Sequence, residues 1–239
     1  MAADDYQGGG IVMAPFDRVD TTAPGQFALT EFESTGERGE FEIGIPIEID
    51  ATMLAVILEG DVREAVVEIN GERVEPDAHV SGGGAWSSRL FVRAGEKLNS
   101  LRVRVWTHGE RARVAILRVL RQFGADLKRR ISCTGCKRLV RFLVTWILTG
   151  FGVPHVPWDG PLPVAVWDRL REFLAVDASH WPGVVARLLS SLHAEFVEQF
   201  LKALRWALAF INEMYEPLDR LLEAVCRYLG FCAEHPSRG

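Results

Sequence analysis

Four cysteines constrain this chain more than any other residues. They stand as Cys133-x2-Cys136 and Cys226-x5-Cys232, one pair at each end of a helical region. Cys133 and Cys136 are three apart and share one face of a helix. Cys226 and Cys232 fall on a last helix and just past its end. Three chemistries use such pairs: separately buried thiols, disulfides in an oxidising compartment, and structural zinc. Zinc knuckles keep about two to four residues between ligands. The five-residue spacing of the second pair does not fit, so no metal site is expected.

The rest of that half reads as amphipathic helix. After the first helix, residues 161–176 carry Leu162, Val166, Leu170, Phe173 and Leu174 on one stripe, with Asp168, Arg169, Arg171 and Glu172 opposite. Apolar residues then recur every three or four positions from Val185 to Ile211, which predicts one long helix over about 184–214 with Pro182 before its first turn. A last helix starts at Pro217 and stops at Gly230. Four or five helices with wide apolar faces make a bundle. Between the first two lies GFGVPHVPWDGP, an ordered Pro- and aromatic-rich loop holding the adjacent pair His155 and Asp159.

The other half alternates. Phe41, Ile43, Ile45, Ile47 and Ile49 interleave with Glu40, Glu42, Gly44, Pro46 and Glu48, which is the period of a half-buried strand. Pro46 cannot donate to a ladder and implies an edge or a bulge. Further strands are expected at 26–33, 52–58, 63–69, 88–93, 100–106 and 112–120. Asn70-Gly71 marks a two-residue hairpin. Seven or eight short antiparallel strands make a β-sandwich or jelly roll. Charge changes where the pattern does: residues 1–122 carry 20 acids and 13 bases, residues 123–239 carry 12 and 14. The expected organisation is a flexible 1–10, a β-sandwich over 11–122 and a helical bundle over 123–239, with the boundary near Phe123-Gly124.

Two resemblances follow. CTGCKRLVRFLVTWI with CRYLGFC downstream resembles the first and last helices of saposin-like domains, although the middle cysteine pair of that family is absent. The resemblance implies disulfides Cys133–Cys232 and Cys136–Cys226, a four- to five-helix saposin-like bundle, and lipid binding. VVEINGERV, Trp86 and VRAGEKLNSLRVRV are similar to galactose-binding-like jelly rolls, with Asn99 two residues late in the strand pattern. That likeness implies a module that binds sugars or supports a neighbour, with Trp86 as the candidate ligand contact.

Lys128, Arg129, Arg130, Lys137, Arg138 and Arg141 place six cations in fourteen residues, with no acid among them, ahead of an apolar run containing Trp146. A basic entry to an apolar helix suits an interfacial membrane segment, although basic residues also snorkel from core helices. The net charge of −5 gives no sign of nucleic-acid affinity. No stretch reaches the ~18 apolar residues of a spanning helix. MAADDYQGGG lacks the basic and apolar regions of a signal peptide. The N-terminus leaves the location open between the cytosol, export by another route and a leader already cleaved, and disulfides, if they form, mean an extracellular or cell-envelope location. The six histidines are scattered singly, and the nucleophile-elbow, phosphate-loop, dinucleotide and zinc-protease motifs are absent, so neither a catalytic centre nor a cofactor is expected. The function expected is non-catalytic membrane or lipid engagement by the helices, with the β-sandwich targeting or oligomerising. The alternatives are a structural or assembly subunit whose helices bind protein partners, and a carbohydrate-binding module.

Overall fold

The computed structural model describes residues 11–13, 17–20, 26–34, 40–82, 86–120, 132–158, 160, 163–211 and 218–232. Strands come first and helices second. The strands are β1 (Ile11–Met13), β2 (Asp17–Asp20), β3 (Gln26–Ser34), β4 (Glu40–Ile69), β5 (Glu72–Val74), β6 (Ala78–Ser81) and β7 (Ser87–Leu120). They form one antiparallel sheet. The helices are α1 (Cys133–Gly150), α2 (Val164–Ala175), α3 (Gly183–Ser191), α4 (Ala194–Phe210) and α5 (Leu218–Tyr228), with a 3-10 turn at Ala178–His180 between α2 and α3. The expected boundary at Phe123-Gly124 and the expected flexible stretch 1–10 lie outside the described residues.

Two strands differ from expectation. The segments 41–49, 52–58 and 63–69 are one strand, β4, and 88–93, 100–106 and 112–120 are one strand, β7. The ladder does not break where the strands bend. Residues 101–105 of β7 pair with 41–45 on one side and 65–69 on the other, while 53–60 lies between the two ends of β7. The register shifts between Pro46 and Ala51, where Pro46 cannot donate, and again around Gly60. Gly60 has φ 121, a conformation that suits glycine at this corner. Asn70 and Gly71, at φ 54 and 82, make the hairpin turn that the dipeptide predicts.

Bending gives the sheet two layers and one doubly buried stretch. Leu54, Val56 and Leu58 face Leu101, Val103, Val105 and Val67 in the cluster between the layers. Met53, Ala55 and Ile57 face the other way and pack, with Leu90 and Leu117, under the helices. All six are at most 1% exposed. A strand covered on both faces is an unbroken apolar run rather than an alternating one, which is how residues 53–58 read. Strands and helices share this core.

Helix α1 is the middle of the helical layer. Ser132 caps it, its hydroxyl accepting from Gly135 N at 2.9 Å. Residues 142–149 are buried all round, between the sheet and the other helices. This corrects the reading of Trp146 as a lipid contact. Its ring is fully buried, and its indole N–H donates to Val184 O at 3.1 Å.

The helix expected over 184–214 is two helices. Leu192 and His193 are extended between α3 and α4. The hydroxyls of Ser190 and Ser191 donate to Arg187 O at 3.2 and 2.7 Å, the back-bonding by which serine competes with a helix. The break drops Leu192 into the core. Among the described residues no helix is long and apolar enough to cross a membrane.

Helices α1 and α3 meet closely at Gly150, where an added Cβ would overlap Val185 Cγ2. Gly150→Ala is expected to cost about 2 kcal/mol and to lower the melting temperature by about 4–8 °C. Gly183→Ala meets nothing within 4 Å and is the control. A Gly150→Ala protein that melts with the control would refute the close approach.

Candidate functional site

Cysteines first. α1 and α5 lie side by side, and the four cysteines come together in two pairs at disulfide distance. Cys133 meets Cys232 with Cα atoms 4.8 Å apart, and Cys136 meets Cys226 at 6.0 Å. Cys136 and Cys226 are buried. The end of α5 folds back through Gly230, at φ 79, with Phe231 N donating to Cys226 O at 2.9 Å. This αL turn brings Cys232 back to Cys133.

Of the basic stretch, the described residues Lys137, Arg138 and Arg141 are all half-buried. Lys128, Arg129 and Arg130 lie outside the described residues. Lys137 Nζ is 3.7 Å from Glu223 and 3.9 Å from Asp219 on α5. Arg138 is half-buried. The Arg141 guanidinium lies 5.1 Å over the Trp158 ring. Lys137 and Arg141 thus face the protein's own groups.

Among the described residues the exposed large apolar side chains are Val164 at the start of α2 and an aromatic group, Trp206 and Phe210 on α4 and Tyr228 on α5, which are 41%, 72% and 43% exposed. The Trp206 ring is 5.1 Å from that of Phe210 and 5.5 Å from that of Tyr228. Lys202, Trp206 and Phe210 follow at four-residue steps on one face. Around them Lys202 pairs with Glu198 at 2.6 Å, and Arg227 pairs with Glu223. The hydrogen bond and charge between Glu198 and Lys202 draw the carboxyl below its ordinary value and the ammonium above. Sequence reasoning traced the buried stripe of α4 and passed over this row, although two aromatics outside a complete stripe are a readable signal.

A second feature is a cleft of about 380 Å³ between the sheet and the helical layer. Glu59 at the corner of β4, Arg113 of β7, Arg141 of α1, Trp86 before β7, and His155 and Trp158 of the α1–α2 loop line it. Ser88 Oγ donates to Pro154 O at 2.5 Å and ties that loop to the sheet. Trp86 packs on the His155 ring at 4.2 Å, so the candidate ligand residue and the loop histidine meet here. Asp159 lies outside the described residues.

Under the cleft Arg113 pairs with Glu59 at 3.2 Å and with Glu31. Burial acts to lower the Arg113 pKa, but the carboxylates of Glu59 and Glu31 outweigh it and hold it above the usual arginine value. Glu59 Oε2 and Trp158 Nε1 are buried and have no hydrogen-bond partner among the described residues. Glu59 and Arg113 are 54 residues apart on different strands, and no local pattern singles them out. Among the described residues no group of three or more His, Cys, Asp or Glu is placed to hold a metal ion.

No protein-family model matches the chain, and no curated protein does. Among solved structures it is similar to a beta-glucosidase from Kluyveromyces marxianus in complex with glucose, at 11% identity and a TM-score of 0.19. The match covers 69% of this chain and 19% of that one, and so shallow a likeness carries no argument.

Proposed function

We propose that the protein is a non-catalytic lipid- and membrane-surface-binding protein, its helical part saposin-like and its strand part a jelly-roll platform over about 11–122. The carrying observation is the exposed aromatic cluster Trp206, Phe210 and Tyr228. Trp and Tyr favour the headgroup level of a bilayer, with the ring in the apolar boundary and the polar atom in water. Lys202 and Arg227 beside them are held only by exposed ion pairs, which are weak, so both cations are available to anionic headgroups. Three side chains are few for a stable protein interface, which takes about 20–30 residues a side. The paired cysteines fit an extracellular or cell-envelope setting. Contact by α4 and α5 replaces contact through 137–141, because Lys137 and Arg141 are engaged internally.

Sedimentation with phosphatidylcholine vesicles containing phosphatidylglycerol tests this. The protein is expected to pellet with them, less so at high salt. Replacing Trp206, Phe210 and Tyr228 by serine is expected to abolish pelleting, each ring contributing about 1.5 kcal/mol or roughly tenfold. A variant that pellets normally, or a native protein that stays in the supernatant, overturns the reading. Loss of self-association in the variant, measured by light scattering without vesicles, would point to an assembly subunit instead.

A further inference from the structure

We infer that the outer cysteine link, Cys133–Cys232, is a thiol-operated latch on the aromatic cluster. A small aliphatic thiol of the glutathione class opens it, while the inner link, Cys136–Cys226, stays closed. Its output rests on the membrane reading, and its chemistry stands apart from that reading. Exposure separates the two links. Cys133 and Cys232 are both partly exposed, and Ser132 and Thr134 on either side of Cys133 are exposed. Cys136 and Cys226 are 2% and 0% exposed within the apolar core. Exchange needs the attacking sulfur to reach a disulfide sulfur, so a dissolved thiol meets the outer link first.

The step balances among sulfurs. A thiolate attacks Cys232 Sγ, the bond to Cys133 Sγ breaks, and Cys133 leaves as a thiolate that takes a proton from water. Cys232 then carries the mixed disulfide, so one disulfide replaces another with no net oxidation. Cys133 is the better leaving sulfur because it opens α1, whose first turn holds no acid and whose N-terminus favours negative charge. Attack by Cys133 on Cys232 Sγ expels the small thiolate and closes the latch again.

What opening frees is short. Tyr228 is the last residue of α5, and its ring lies 5.5 Å from that of Trp206. Beyond it Gly230 N and Phe231 N donate to Arg227 O and Cys226 O, and the Phe231 side chain packs on the core. The outer link fixes the end of this turn. With it open, the last covalent tether is Cys226, and Tyr228 stands past it at the fraying end of the helix. The inner link keeps the rest of α5 on α1, so the cluster loses one of its three rings while the bundle stays folded.

The test is incubation of the full-length protein with reduced glutathione, followed by alkylation and peptide mapping, with hydrogen exchange and vesicle sedimentation on the same samples. Glutathione is expected on Cys232 and the alkyl group on Cys133, with Cys136–Cys226 intact. Amide exchange is expected to rise about tenfold or more at residues 229–232 and to hold within α1. Vesicle binding is expected to fall about tenfold, the share of one ring, and to fall no further in Tyr228→Ser protein. Cys133→Ser with Cys232→Ser supplies a permanently open form that should match the treated protein. An inner link that opens as fast as the outer one, glutathione mainly on Cys133, or unchanged exchange at 229–232 would overturn the latch. Vesicle binding unaltered by opening would overturn its coupling to the cluster. A native protein that never pellets defeats the membrane reading alone, because the thiol map and the amide exchange still decide the latch.

Discussion

Reduction of the protein is expected to lower its unfolding free energy by about 4–5 kcal/mol for one link and by less for the second, because the two are nested. The links close sequence separations of 99 and 90 residues, so each removes a large freedom from the unfolded chain. The two pairs should also differ. Cys133 and Cys232 are partly exposed, and a double serine variant there loses mainly the constraint. Cys136 and Cys226 are 2% and 0% exposed among apolar neighbours, so serines there also bury hydroxyls, at roughly 1–3 kcal/mol more. α5 is held chiefly by α4 and α1, so helical signal should be lost before strand signal. Denaturant titration by circular dichroism with and without dithiothreitol measures both effects. Identical midpoints would mean that the cysteines add nothing as links.

The parts of this fold that were legible are those set by local chemistry. Asn70-Gly71 announces its turn because both residues tolerate positive φ, and Gly230 ends α5 for the same reason. The cysteine pairing followed from a family spacing, and the pairs at disulfide distance are those it implied. Continuity was not legible. The register shift after Pro46 and the corner at Gly60 look like strand ends in sequence, yet the ladder passes through them. The break at Leu192–His193 has no Gly or Pro. It coincides with the Ser190 and Ser191 hydroxyls on Arg187 O and with burial of Leu192 in the core, and sequence periodicity is blind to that tertiary contact. Trp146 misled for a related reason. A helix apolar all round reads alike whether lipid or protein surrounds it, and here the sheet and the other helices do. The cleft lay furthest from reach, since Glu59, Arg113, Arg141 and Trp158 meet only once β4 and β7 bend.

Arg113→Met is expected to be the most damaging single substitution in the sheet. The native side chain, 13% exposed, joins Glu31 and Glu59, whose side chains are 14% and 6% exposed. Removing the cation leaves two carboxylates buried close together, and breaking such a group costs about 3–5 kcal/mol. Urea midpoints of the native protein and the variant measure that loss. Adding Glu31→Gln and Glu59→Gln to Arg113→Met removes the stranded charges and should restore much of the loss, since a buried ion group exchanged as a whole for neutral side chains is often tolerated. If the single variant unfolds within about 1 kcal/mol of the native protein, the group is solvated like an exposed ion pair, and the cleft above it is wetter than its burial implies.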